Sequence, residues 1–94
     1  MRERELEQKL CRTVAAHGGR CLKWVCPGWA GVPDRIVLLP GGRVIFVEVK
    51  RPQGGRLGKR QAWWRRELCR LGFEHYVLWD SVDLDIFELK ELGG

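Results

Sequence analysis

The sequence contains no apolar run near the roughly 20 residues that a membrane-spanning helix needs. Its first ten residues, MRERELEQKL, are highly charged and lack the apolar core of a signal peptide. These two absences argue against a membrane protein and against export, so we expect a cytoplasmic protein. The chain also shows no internal repeat and no linker, and its 94 residues (1–94) are expected to form a single domain.

Cysteine and histidine patterns that bind zinc are also missing. The chain has four cysteines and two histidines, and their spacing matches no zinc motif. Without an export signal the cysteines are not expected to form a disulfide framework. We therefore predict that all four are buried free thiols: Cys11, Cys21, Cys26 and Cys69.

Acidic residues are nearly absent between positions 50 and 70. This segment has one acid, Glu67, against eight basic residues, which are Lys50, Arg51, Arg56, Lys59, Arg60, Arg65, Arg66 and Arg70. The whole chain carries a formal net charge of +5. Net charge alone also serves solubility, but a local basic field of this kind is the expected footprint of phosphate binding.

Hydrophobic periodicity and turn residues predict the order α-β-β-β-α-β with one more element at the end. The predicted helices cover 3–17 and 61–72, and the predicted strands cover 21–25, 34–39, 43–50 and 75–79. A last helix would run from Asp80 or Ser81 to about Leu92, although Leu84 and Ile86 also alternate like a strand. This order predicts an α/β fold in which helices flank a central mixed sheet.

The predicted hairpin carries acids where a packed sheet would have few. A three-residue loop at 40–42 would pair Leu39 with Arg43, and counting back places Asp34 opposite Glu48. Side chains opposite each other on antiparallel strands share a face, about 5 Å apart. Two carboxylates so close repel each other unless one is protonated or a cation lies between them. A turn-capping aspartate and a solvated strand end would also explain these acids singly.

With Lys50 beside the two acids, a divalent cation is the economical explanation. Mg²⁺ prefers oxygen ligands and usually keeps one or two carboxylates with waters and substrate phosphates. Such a cation activates a bound water, and Lys50 could position that water or stabilise transition-state charge. Glu7, beside the apolar stripe of the first helix, could add a third carboxylate if that helix packs beside the hairpin; such acids more often lie at a solvated edge. The residues predict metal-assisted hydrolysis of a phosphodiester.

These motifs together resemble a known family of nucleases. A helix-borne Glu, a Pro-Asp pair and Glu-x-Lys on the next strand resemble the PD-(D/E)xK nucleases. More narrowly, GVPDRIVLL, VIFVEVK and the downstream Gln61 resemble the virus-type replication-repair nuclease (VRR-NUC) family over nearly the whole chain. The resemblance implies a restriction-endonuclease-like αβββαβ core.

The resemblance also implies roles for single residues. Asp34 and Glu48 would bind Mg²⁺ or Mn²⁺, with the carbonyl of Val49 as a further ligand. Lys50 would serve the nucleophile, and Gln61 would support the site from its helix.

The family's helical acid has two candidates in this chain. Glu7 fits best, because Leu10, Val14 and Gly18 follow it at family-like spacing, and Glu3 lies one turn earlier on the same face.

The resemblance further implies a homodimeric endodeoxyribonuclease in a bacterial or phage-infected cell. It would act on branched or double-stranded DNA, as a Holliday-junction resolvase does. Contacts to the DNA backbone would come from Arg51, Arg56, Lys59, Arg60, Arg65 and Arg66. Trp29, in a Gly-rich loop, could stack on a splayed base or pack at the surface or a dimer interface. A nuclease of ends or nicks and a non-catalytic nucleic-acid-binding module of the same fold stay open.

Overall fold

The computed structural model describes residues 1–52 and 54–93. Its elements are helix α1 (Glu3–Ala16), strands β1 (Arg20–Lys23), β2 (Arg35–Leu39) and β3 (Arg43–Val49), helix α2 (Lys59–Arg70), strand β4 (Glu74–Leu78) and helix α3 (Ser81–Phe87), which continues as a π-helical turn (Glu88–Leu92). Position 53 of the predicted loop and position 94 lie outside the described residues. The predicted order of elements is confirmed.

The four strands form one mixed sheet in the order β1-β2-β3-β4. β2 pairs antiparallel with both β1 and β3, whereas β3 and β4 are parallel. A parallel pair needs a crossover connection, and α2 provides it between β3 and β4. The expected helix-flanked mixed sheet of the restriction-endonuclease-like type is therefore confirmed.

The main hydrophobic core lies between the sheet and helices α1 and α3. It comprises Leu6, Leu10, Val14, Val37, Leu39, Ile45, Val47, Val49, Leu78, Leu84 and Phe87. On the other face of the sheet, Phe46 packs against Trp24 and Phe73, with ring centroids 5.2 and 5.3 Å apart. Burial of both faces leaves little of the central strand β3 in contact with water. None of the helices in the described ranges is long and apolar enough to cross a membrane.

Helix α2 differs from its predicted bounds of 61–72. It begins two residues earlier, because the side-chain Oε1 of Gln61 accepts a hydrogen bond from the Gly58 N–H at 2.8 Å and closes the first turn. At its end Leu68 is buried, whereas Cys69 and Leu71 are exposed. The prediction of buried thiols is wrong: Cys69 is exposed and the other three cysteines are half-buried.

The segment after β4 is helical, which decides between the two structures that its apolar pattern allowed. The side chain of Asp80 accepts a hydrogen bond from the Asp83 N–H at 2.9 Å, and the Asp83 carboxylate accepts one from the Trp79 N–H at 2.8 Å. These bonds satisfy donors at the helix start that would otherwise lack a partner. Leu84 and Phe87, three residues apart, then face the core.

Candidate active site

The backbone pairing of β2 with β3 brings Asp34 next to Glu48. The observed register pairs Leu39 with Arg43 and Arg35 with Val47, so the predicted register is confirmed. Asp34 lies directly before β2, and its Oδ2 accepts a hydrogen bond from the N–H of Val49 at 3.0 Å. This bond holds the aspartate carboxylate at the carboxyl end of β3.

Glu48 is a buried carboxylate in an unfavourable electrostatic environment. The residue is only 1% exposed. Burial raises the pKa of Glu48, the adjacent Asp34 raises it further through a hydrogen bond and its charge, and Lys50 lowers it; the pKa lies at about 8. A glutamate ordinarily titrates near 4.3, so the fold strongly disfavours the ionised form. Perturbed carboxyl groups of this kind are typical of functional sites.

Two further polar side chains contact Glu48. The amide Nε2 of Gln61 donates a hydrogen bond to Glu48 Oε1 at 3.2 Å, while the capping bond to Gly58 fixes the other end of the same amide. The ammonium Nζ of Lys50 lies 4.0 Å from Glu48 Oε1. The structure therefore brings Asp34, Glu48, Lys50 and Gln61 together at one point, where β3 ends and α2 begins.

The two candidate acids of α1, Glu3 and Glu7, have different surroundings. The carboxylate of Glu7 accepts a hydrogen bond from Arg35 Nε at 2.6 Å. Glu3 is exposed, and its charge is one of those that raise the pKa of Glu48. In residues 1–52 and 54–93, no three side chains of His, Cys, Asp or Glu are grouped closely enough to hold a metal ion.

The partner of Glu7, Arg35, was missed by sequence reasoning. Side chains alternate along a strand, so Arg35 must point to the face opposite Asp34, where α1 packs. The same alternation that placed Asp34 and Glu48 together would have placed Arg35 against an acid of α1.

Most of the predicted DNA-contacting residues are exposed. These are Arg51, Arg56, Lys59, Arg60 and Arg66. Arg65 is half-buried instead: its guanidinium donates to the carbonyl of His75 at 3.4 Å and lies 3.0 Å from His75 Nδ1. Burial, together with the charge of Arg65, lowers the pKa of His75 to about 4. Arg65 thus connects α2 to β4 within the protein.

A cavity of about 350 Å³ lies between the loop that precedes Asp34 and the first half of α2, the helix that carries Gln61. It is lined by Gly28, Trp29, Ala30, Arg60, Trp63 and Trp64. Sequence reasoning singled out Trp29 but missed Trp63 and Trp64. The sequence signal for them was the Trp-Trp pair that follows Gln61, because residues three apart on a helix, such as Gln61 and Trp64, share a face.

Comparison with known proteins was made on both sequence and structure. No family model matches the sequence. A phage protein named "Putative nuclease p44", from Acyrthosiphon pisum secondary endosymbiont phage 1, is 44% identical over 84 residues, which cover 89% of this chain and 88% of that protein. A solved structure named "VRR_NUC domain" is similar with a TM-score of 0.86 and 25% sequence identity, covering 97% of this chain and 99% of that chain.

Proposed function

The chain belongs to the VRR-NUC family and is a nuclease; from that premise we propose that it is a metal-dependent, structure-selective DNA endonuclease. The observation that carries this proposal is the convergence of Asp34, Glu48 and Lys50 at the carboxyl end of β3. Ligand sites of α/β sheets lie beyond the carboxyl ends of strands. We take residues 1–94 as one nuclease domain.

The donor set suits a hard divalent cation, Mg²⁺ or Mn²⁺. Asp34 and Glu48 offer carboxylate oxygens, and the neighbouring carbonyl of Val49 is proposed as a further ligand. The raised pKa of Glu48 supports this assignment, because it shows that the ionised carboxylate lacks sufficient positive charge nearby. A bound cation would supply that charge and favour the ionised form. Two carboxylates without a third suffice for Mg²⁺, which keeps several waters and binds substrate phosphates. When bound, the cation supplies an activated water and neutralises charge on the phosphoryl group.

The chain's own residues then orient the reactants. Lys50 is placed to position the attacking water or to stabilise charge on the phosphoryl oxygens. Gln61 holds Oε1 of Glu48 by its hydrogen bond, so the carboxylate keeps one orientation. In the reaction the water oxygen bonds to phosphorus, the bond from phosphorus to a sugar oxygen breaks, and that oxygen takes up a proton. The products are one strand end with a phosphate and one with a hydroxyl.

We assign the helical acid to Glu3. Its charge acts on Glu48, whereas the carboxylate of Glu7 is paired with Arg35 at 2.6 Å. Glu3 is exposed and lies on the first turn of α1. Glu3 would add negative charge near the proposed cation site. Glu7, which the spacing of Leu10, Val14 and Gly18 favours, is the alternative, and the variants below distinguish the two acids.

The proposed substrate is branched or double-stranded DNA, and the proposed assembly is a homodimer that cuts Holliday junctions. Exposed basic residues on both sides of Gly58 would contact the DNA backbone. A symmetric junction suits a two-fold dimer, since each protomer can cut one strand. The phage origin of a 44% identical relative supports a place in the cytoplasm of a bacterial or phage-infected cell.

The test is cleavage of a synthetic four-way junction in Mg²⁺, in Mn²⁺ and in EDTA. We expect the wild type to cut only with metal. Asp34→Ala and Glu48→Gln should lose at least about 100-fold in rate, because metal-held charge stabilisation is worth several kcal/mol. Unchanged cutting by both variants would refute the site. Calorimetry that detects no metal binding while DNA affinity persists would favour the non-catalytic binding module.

Three variants of α1, each of which removes one negative charge, test the assignment of the helical acid. Glu3→Gln should raise the Mg²⁺ concentration needed for half-maximal cutting while thermal stability stays near wild type. Glu7→Gln should lower stability, because it weakens the pairing of Arg35. Glu5→Gln, also exposed on this helix, should change neither property. A metal requirement that follows Glu7 instead of Glu3 would reverse the assignment.

A further inference from the structure

The cavity between the loop before β2 and helix α2 has two walls. One wall is the loop residues Gly28, Trp29 and Ala30, and the other is the first half of α2 with Arg60 and Trp63. Trp64 joins the two walls at the base, because its indole Nε1 donates a hydrogen bond to the Ala30 carbonyl at 3.1 Å.

The loop is held against α2 by a close backbone approach. Gly31 has φ of +86°, and a Cβ added there would lie 2.5 Å from the Cβ of Arg60. Such a contact admits no side chain other than the glycine hydrogen. The hydrogen bond of Trp64 and this close approach together fix the loop, so the cavity is part of the fold.

The indole rings of the cavity are unusually exposed. Trp29 is 60% and Trp63 is 44% exposed. Each ring meets Trp64 edge-on, with interplanar angles of 78° and 88°. Among the described residues, no aromatic ring stacks in parallel on Trp29 or Trp63. Two large apolar rings grouped at the surface mark a binding surface.

The cavity is a short distance from the proposed scissile phosphate. Ala30 precedes Asp34 by four residues, which can span at most about 14 Å. On the other wall, Arg60 directly precedes Gln61, whose amide contacts Glu48. The cavity is therefore close enough to take a base from a nucleotide near a phosphate held at the carboxylates.

The charge of the surroundings selects an anionic occupant. No acidic residue lines the cavity, and Arg60 is part of its wall. Exposed basic residues continue along the loop and helix on that side: Arg56, Lys59 and Arg66. A ligand with a flat aromatic face and an anionic backbone matches both the rings and the charge.

We propose that this cavity binds one unpaired nucleobase of the DNA substrate, stacked on Trp29 or Trp63, next to the bond that is cut. The proposal rests on the proposed nuclease function and specifies its substrate. Bases within an intact duplex are already stacked, so extruding one costs a few kcal/mol. An unpaired nucleotide at a branch, bulge or flap lacks that cost. The tryptophan cavity thus selects DNA whose strand is unstacked at the cut site.

The test compares binding of two labelled DNAs in EDTA, so that no cutting occurs. One is a fully paired duplex, and the other is the same duplex with a three-nucleotide single-stranded flap. We expect the wild type to prefer the flap. Trp63→Ala and Trp29→Ala should each weaken flap binding by about five- to hundredfold, the range known for base stacking on aromatic side chains, and leave duplex binding nearly unchanged. Trp63→Phe should restore most of the preference.

The matched control is Leu71→Ala, because Leu71 is also exposed but lies at the other end of α2. It should leave both affinities unchanged. Equal losses on flap and duplex, or no loss on either, would overturn the proposal. If the tryptophan variants instead convert a dimer to a monomer in gel filtration, the cavity is a protomer interface and the proposal fails. These outcomes are independent of the proposed function, since they leave the dependence of cutting on Asp34 untouched.

Discussion

The polar residues that the described part of the chain buries, Glu48 and His75, are both hydrogen-bonded but differ in how well their surroundings suit them. Arg65 is always a donor, so the His75 Nδ1 that faces it must be unprotonated, and the buried imidazole is neutral. Glu48 has partial compensation from Lys50 at 4.0 Å and repulsion from Asp34. The neutral His75 therefore needs no further partner, whereas an ionised Glu48 would need the proposed cation to offset its burial and the charge of Asp34.

The neutral state of His75 predicts that its own contribution to the free energy of unfolding falls in mild acid. Its pKa is lowered to about 4 in the folded protein, against 6.5 for an ordinary histidine. Between these values the unfolded chain binds a proton that the folded chain does not, so the free energy of unfolding falls as pH falls. At about 1.4 kcal/mol per pH unit, His75 should contribute a loss of about 1.5 kcal/mol between pH 6.5 and pH 5. Glu48 opposes this loss, because its raised pKa of about 8 lets the folded chain keep a proton that the unfolded chain releases. The difference in the free energy of unfolding between wild type and His75→Gln isolates the contribution of His75. Urea denaturation at several pH values measures it.

Two variants separate this effect from general acid denaturation. His75→Gln should be less stable than wild type at pH 7, and this deficit should shrink by about 1.5 kcal/mol as pH falls over the same range. His17→Gln, which removes the other imidazole and its contact with Glu88, is the comparison variant. If the pH profile of stability changes with His17→Gln but not with His75→Gln, then His75 is not the residue responsible.

At the scale of elements, the contact of the loop before β2 with α2 depends on Gly31. Alanine at this position would combine a left-handed φ with a Cβ placed 2.5 Å from Arg60 Cβ. The left-handed backbone costs about 1–2 kcal/mol and overpacking about 1–3, so Gly31→Ala should lower the free energy of unfolding by about 2–5 kcal/mol. Urea unfolding curves give this value directly.

Gly28 in the same loop is a close control for that substitution. Its φ is also +86°, but an added Cβ would meet nothing within 4 Å. Gly28→Ala should therefore cost only the backbone component, about 1–2 kcal/mol. Equal losses from both variants would show that the loop does not depend on its contact with α2.

The same elements show what the sequence could and could not predict. The meeting of Asp34 with Glu48 was predictable, because hairpin loop length sets the register and alternation sets the face. The surroundings of Glu3 and Glu7 were not, because the two acids are one turn apart on one helix face and only the packing of α1 decides which reaches β3. The last helix was ambiguous for a different reason: apolar spacing fitted helix and strand alike, and the cap at Asp80 decided it.

At the scale of the whole molecule, the two faces of the sheet have different tasks. Helices α1 and α3 bury the larger apolar core against one face. The other face carries Glu48 with its partner Gln61, the aromatic cavity and α2 with its exposed basic side chains. The core that stabilises the fold and the proposed DNA-contacting surface are thus largely separated. That separation explains why basic residues can crowd the loop and α2 without disturbing the core.

This separation predicts how DNA binding responds to salt. Each phosphate contact adds about 0.9 to the slope of log K against log salt for duplex DNA, because counterions are released. Removing two exposed charges beside the site, Arg56→Ala with Arg66→Ala, should reduce that slope by about 2. The charge-matched pair Arg12→Ala with Lys90→Ala, exposed on other elements, should leave it unchanged. Equal reductions from both pairs, measured by fluorescence anisotropy between 50 and 200 mM salt, would mean that net charge rather than this surface binds the backbone.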